Sequence, residues 1–245
     1  MGDIDYGISI LLWNGVFLAS GAVAAIFARK RFDWRWLAIA LALLNLNLAL
    51  VVDMFGINAF LFDLAGSPAT SFNWAGKIVA LSVSLVLIAT PLIDREAAGI
   101  TLRQAASWKV GWAVFALLFA IDIVLALMSD TPAFDTDTIA YQLTMPSLDE
   151  EIFYRGVLLY CLVQAFGEGP RFFAANFGWA AGIATIMFGA IHCFVWTDTG
   201  IFFSPEIALF AGGIGLLLMW LRLSTGSVLA PILMHSVVNT AWRLV

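Results

Sequence analysis

Residues 110–128 read Val110-Gly-Trp-Ala-Val-Phe-Ala-Leu-Leu-Phe-Ala-Ile-Asp122-Ile-Val-Leu-Ala-Leu-Met128, an apolar run interrupted by one carboxylate. As a helix rising about 1.5 Å per residue, such a run covers roughly 30 Å, the thickness of a bilayer's hydrocarbon core. It is apolar on every side, so no face suits water. Seven further stretches read the same way: Tyr6–Ala28, Trp36–Phe55, Trp74–Ile93, Glu150–Phe166, Phe172–Val195, Ser204–Leu223 and Val228–Val245. Breakers separate them, among them Gly66-Ser-Pro68, Thr131-Pro132, Pro146-Ser147, Gly167-Glu-Gly-Pro170, Thr199-Gly200 and Ser224-Thr-Gly226. The expected fold is all-α and polytopic, with about eight spanning helices. Barrel-type alternating segments are absent.

Composition agrees. The 245 residues are 62% hydrophobic and 12% charged, whereas soluble domains run about 45–50% apolar and about 25% charged. So apolar a chain is not disordered. With 12 Lys+Arg against 17 Asp+Glu it has no basic face for nucleic acid. Cys161 and Cys193 lie inside apolar runs and suggest no disulfide framework. The first span lacks a basic leader and reads as a retained helix.

Charge sets the expected orientation. Arg29, Lys30, Arg31 and Arg35 fill the first loop, and Arg95, Arg103 and Lys109 the third; Arg171 lies in the fifth and Arg222 borders the seventh. Loops 56–73, 129–147 and 196–203 contain no Lys or Arg. The positive-inside rule then places the odd loops in the cytoplasm and both termini outside. Ala59-Phe-Leu-Phe62 suggests an interfacial piece in loop 56–73.

Ionisable groups within spans cost about 2.5–3.5 kcal/mol each on insertion scales, so each needs a reason. The fifth span opens Ser147-Leu-Asp149-Glu150-Glu151-Ile-Phe-Tyr154-Arg155-Gly156. Glu151 and Arg155 are four apart and stack on one face, acid first. Glu150 points about 100° away and is free to face a cavity. The competing reading is a capping box, Ser147-x-x-Glu150, with the acid folded back on its own helix end. Phe188-x-x-x-His192 in the sixth span and His235-x-x-x-Asn239 in the eighth hold the chain's two histidines. By helical rise, Glu150 and His192 fall within roughly 5 Å of the outer boundary. Four polar groups from three helices can therefore meet in the outer half of the bilayer. Asp53 and Lys77, near span ends, read as snorkelling or mutually paired. Asn45, Asn47 and Asp122 read as interhelical hydrogen-bond partners. Cys193 is a weak alternative nucleophile.

Glu150-Glu151-x-x-x-Arg155-Gly156, Phe188-x-x-x-His192 and His235-x-x-x-Asn239, in that order on late spans, resemble the CPBP family of CAAX proteases and bacteriocin-processing enzymes. The resemblance covers roughly residues 140–245, a four-span catalytic core. It leaves 1–139 as an N-terminal four-span region of the same integral membrane domain. It implies a glutamate-type intramembrane endopeptidase, multi-pass and expected in a bacterial inner membrane. Its partners would be the bilayer and a membrane-anchored protein or peptide substrate, with no nucleic acid. Glu150 would be the base for water, His192 would hold and polarise that water, and His235 and Asn239 would donate to the oxyanion. Glu151, Arg155 and Phe188 would support them. No cofactor is expected. The alternative is zinc on His192, His235 and Glu150 with water in the fourth position. Competing functions are a non-catalytic scaffold or immunity protein of the same fold, and an ion-coupled transporter. The latter lacks the repeat symmetry common in transporters.

Overall fold

The computed structural model describes residues 3–57, 60, 72–129 and 135–241. Its helices are α1 (Tyr6–Phe27), α2 (Trp34–Val51), α3 (Trp74–Ala89), α4 (Trp108–Leu127), α5 (Thr136–Glu150), a π-helix (Glu151–Leu158), α6 (Leu159–Phe166), α7 (Trp179–Cys193), α8 (Pro205–Thr225) and α9 (Leu229–Thr240). Two hairpins complete it: β1 (Arg171–Phe172) with β2 (Ala175–Asn176), and β3 (Phe194–Thr197) with β4 (Gly200–Phe203). Among the described residues, α1, α2, α4 and α8 are long and apolar enough to cross a membrane, and α3, α7 and α9 are shorter apolar helices. The chain is an all-α membrane protein.

Several helices start after a short polar side chain that satisfies orphaned amides of the first turn. Asp5 accepts from Ile8 N at 3.0 Å, Asp33 from Arg35 N at 2.9 Å and Ser204 from Ile207 N at 3.2 Å, the last with Pro205 opening the helix. Gly226 ends α8 at φ 80°, where a side chain would be strained.

The largest departure from the sequence reading concerns the fifth span. Helix runs unbroken from 136 to 166, so Pro146-Ser147 is no break and 136–147 is no loop. Pro146 withholds a backbone donor, and neighbouring hydroxyls supply others. Ser147 Oγ donates to the Leu143 and Thr144 carbonyls at 3.2 and 3.0 Å, and Ser236 Oγ on α9 donates to Leu143 O at 2.9 Å. The capping box is absent for the same reason, because Ser147 lies in a helix interior. Glu150 therefore stands about 21 Å along the helix from its start, and not in its first turn. The sixth span is also shorter than expected. Phe173 and Ala174 adopt φ 40° and 68° to turn the β1–β2 hairpin, and helix begins only at Trp179. Residues 59, 61 and 62 of the expected interfacial piece, and Val228–Val245 beyond 241, lie outside the described residues.

The basic loops gather at one end of the bundle. Asp33 N bonds Ala165 O at 2.9 Å, Ala105 N bonds Thr225 O at 2.7 Å and Val228 N bonds Gly99 O at 3.0 Å. At the other end the start of α1 is fastened to the β3–β4 hairpin. Trp13 Nε1 donates to Phe194 O at 2.6 Å, Trp196 N to Ser9 Oγ at 2.9 Å and Asp5 N to Trp196 O at 2.9 Å. One apolar core joins the two halves of the chain, with Trp13, Phe17 and Leu44 packed among Phe153, Leu162, Met187 and Met219.

Asn45 is an interhelical partner, as its position suggests. Asn14 and Asn45 exchange amide hydrogen bonds at 2.8 and 2.9 Å between α1 and α2. Asn14→Leu and Asn45→Leu should each destabilise the protein. A double-mutant cycle of unfolding in detergent micelles is expected to return a coupling of about 0.6–1.7 kcal/mol. A coupling near zero would mean that the pair adds nothing beyond packing.

Candidate active site

Glu150 and Glu151 are adjacent on one helical run, and their side chains enter two different clusters. Glu150 Oε1 lies 2.7 Å from Lys77 Nζ on α3, and Asp149 Oδ2 lies 3.2 Å from the same nitrogen. Lys77 is buried and turned inward. It is neither snorkelling nor a partner for Asp53 alone, because two carboxylates of α5 meet it. The approach of α3 is set locally. Asn73 caps the helix at Gly76 N and bonds the Val51 carbonyl, and a Cβ on Gly76 would stand 2.6 Å from Leu50 O.

The second oxygen, Glu150 Oε2, is buried with no hydrogen-bond partner among the described residues and lies 4.0 Å from His192 Nε2. His192 occupies the last turn of α7, with Nδ1 2.6 Å from Phe188 O. A carbonyl only accepts, so the proton sits on Nδ1. Nε2 is then the nitrogen turned towards Glu150. A cavity of about 410 Å³ adjoins this pair, walled by Lys77, Asp53, Tyr6 and Trp13 as well as Glu150 and His192.

Glu151 heads the second cluster. Its Oε1 accepts from Arg155 Nη1 at 2.9 Å and from His235 Nδ1 at 2.7 Å, and Glu151 and Arg155 are both fully buried. Arg155 Nη2 donates to Gly215 O at 3.1 Å. Its guanidinium lies 4.0 Å from the centre of the Phe188 ring. Phe188 joins the clusters, with the His192 ring tilted against it at 4.7 Å and His235 edge-on at 6.1 Å. Only glycine fits at 215, since a Cβ there would meet Phe188 Cδ1 at 2.8 Å.

The second cluster is built on the π-helix, whose wider turn breaks the ordinary backbone pattern. Arg222 Nε from α8 donates to the Arg155 carbonyl at 3.0 Å, and Nη2 to Ala97 O at 2.8 Å.

The structure thus brings together Glu150 with His192, and Glu151, Arg155 and Phe188 with His235. Asn239 stands apart from Glu150 and His192, donating to Gln142 Oε1 at 3.3 Å one turn beyond His235. Sequence reasoning missed Lys77 and Asp149 as members. One signal was available: Lys77 opens the third span next to a loop without Lys or Arg, at the end of the bundle where the other loops carry none either. Cys193 is buried and turned onto its own helix, with Sγ 4.0 Å from Ala190 O.

The alternative reading, zinc on His192, His235 and Glu150, needs three groups that the structure divides between the two clusters, Glu150 with His192 and His235 with Glu151. Among the described residues no three His, Cys, Asp or Glu groups converge as metal ligands. Lys77 places an ammonium on one Glu150 oxygen, and Glu151 takes the Nδ1 of His235.

Residues 136–241 match the family described as type II CAAX prenyl endopeptidase, Rce1-like, consistent with the CPBP membrane proteases. The match spans α5 to α9 and leaves α1–α4 outside it. No curated protein and no solved structure matches the chain.

Proposed function

We propose that the protein is an intramembrane endopeptidase that hydrolyses a peptide bond of a membrane-anchored protein or peptide, using water activated by Glu150 and His192 without a metal. The observation that carries this reading is Glu150 Oε2, buried and without a hydrogen-bond partner among the described residues, facing His192 Nε2 at 4.0 Å. At that distance the two atoms do not hydrogen-bond each other, and a buried oxygen without a donor demands an explanation. Oε2 is closed off in this structure, so a small opening of the Glu150 and His192 side chains would admit a water; at about 2.8 Å from each it would see them about 90° apart, near its own bond angle, and could bond both. The water's lone pairs then face the cavity, where a scissile carbonyl would lie.

The chemistry divides between the clusters. Glu150 removes the water proton as attack proceeds and returns it to the leaving amine. His235 donates Nδ1–H to Glu151, so only its Nε2 is left for substrate. That edge of the ring serves the tetrahedral oxyanion, with the Glu151 carboxylate beneath it. Asn239 would join as a second donor on exchanging Gln142 for the oxyanion. Phe188 and Arg155 hold the two rings in place.

The site lies at the end of the bundle opposite the basic loops. By the positive-inside rule this is the extracytoplasmic face of a bacterial inner membrane. The substrate bond would then lie near that surface. The apolar helices and the protease family both support a membrane-anchored substrate.

The test is cleavage of single-span peptides by purified protein in lipid nanodiscs. His192→Ala is expected to lower turnover by about 10²-fold, and treatment with a strong chelator to leave the wild-type rate unchanged. Undiminished cleavage by folded His192→Ala would overturn the water-activation reading. Chelator loss restored by zinc would overturn the metal-free one.

A further inference from the structure

We infer that Lys77, contributed by the N-terminal helices that the family match does not cover, is a positioning residue of the active site, clamping one oxygen of Glu150 so that the other faces the water. The inference rests on the water-activation reading above and deepens it.

Lys77 is placed against three separate costs. It lies in the first turn of α3, where the helix dipole disfavours a cation. It is buried in an apolar helix, where an ammonium is expensive unless paired. It stands at the outward end of the bundle, against the charge bias of the loops. A charged intramembrane residue with such costs points to function and to a definite partner. Here the partner is Glu150 Oε1 at 2.7 Å, with Asp149 Oδ2 at 3.2 Å as the second acceptor.

The geometry gives Lys77 a task that a purely structural ion pair would not have. A free glutamate presents either oxygen by rotating its last torsion. With Oε1 fixed on Nζ, Oε2 is the only oxygen left, and it is the one that lies 4.0 Å from His192 Nε2. Asp149 holds the ammonium from a second direction, so Nζ does not follow Glu150 if that side chain moves. The clamp and the water-facing pair line the same cavity. A base misplaced by about 1 Å can cost up to about 10²-fold in rate. Losing the clamp is therefore an effect on kcat and not on substrate binding.

The experiment compares wild type, Glu150→Gln, Lys77→Met and Lys77→Arg in the nanodisc assay, with the folded fraction of each measured by gel filtration and thermal unfolding. Lys77→Met is expected to lower kcat about 10- to 100-fold with KM within about twofold of wild type. Lys77→Arg, which retains the cation, should recover most of that loss. A wild-type kcat in folded Lys77→Met overturns the inference, and so does a loss carried wholly by KM. If Lys77→Met does not fold, Lys77→Arg decides through the Glu150 carboxylate infrared band, assigned by difference against Glu150→Gln. That band should shift, and an unmoved band overturns the clamp. The Glu150→Gln control separates the two levels. Full activity there sinks the water-activation reading itself, whereas an inactive Glu150→Gln beside a fully active Lys77→Met sinks only the clamp.

Discussion

Arg155→Met is expected to lower the unfolding free energy by about 3–5 kcal/mol and to abolish cleavage in the molecules that still fold. The guanidinium is fully buried and bonds Glu151 and the Gly215 carbonyl while lying on the Phe188 ring. Removing it leaves a buried carboxylate with His235 as its only partner and frees the ring that separates the two histidines. Replacing both partners should be far gentler, because no unpaired charge remains. Glu151→Gln/Arg155→Met is expected to regain most of the lost stability and none of the activity. Reversible unfolding in mixed micelles measures the first quantity and the nanodisc assay the second. A loss below about 1 kcal/mol for Arg155→Met would show that packing, not the ion pair, holds the π-helix in place.

Glu150→Gln is expected to lower kcat by about 10²–10⁴-fold with little change in KM. The amide keeps the volume of the side chain, and its oxygen can still accept from Lys77. Asp149 remains on the lysine at 3.2 Å, so the buried ammonium is not orphaned. What is lost is the proton acceptor of the proposed mechanism. Single-turnover cleavage isolates the chemical step, and the inactive form should retain bound substrate for identification. A kcat within a fewfold of wild type would move the base to Glu151 or elsewhere and with it the whole assignment.

Much of this architecture was legible in the residues. Apolar length gave the membrane helices, because the bilayer imposes a minimum run that soluble proteins do not need. Spacing gave the Glu151–Arg155 pair, and the one-residue offset gave Glu150 its separate direction. The misreadings share a cause, since each applied a local rule where a distant partner decides. Pro146 marked a break, but hydroxyls from Ser147 and from Ser236 on α9 supply donors around it. Lys77 read as snorkelling because its acceptors lie 72 and 73 positions downstream. The π-helix left no mark at all. Its wider turn is supported by Arg222, which looked like an ordinary loop-border cation and instead caps the Arg155 carbonyl. Asn239 shows the same limit, since its spacing from His235 does not reveal that Gln142 would hold it.

The fastening of Trp13 and Ser9 to the strand that follows His192 has a practical consequence. The imidazole ends a helix whose exit is anchored on the first helix of the chain, so its reach towards Glu150 depends on residues nearly two hundred positions upstream. The stretch recognised by the family is thus not a detachable module. Trimmed to 136–241, the protein would lose the strut that aims His192 at Glu150, and biochemical dissection should proceed by point substitution in the intact chain.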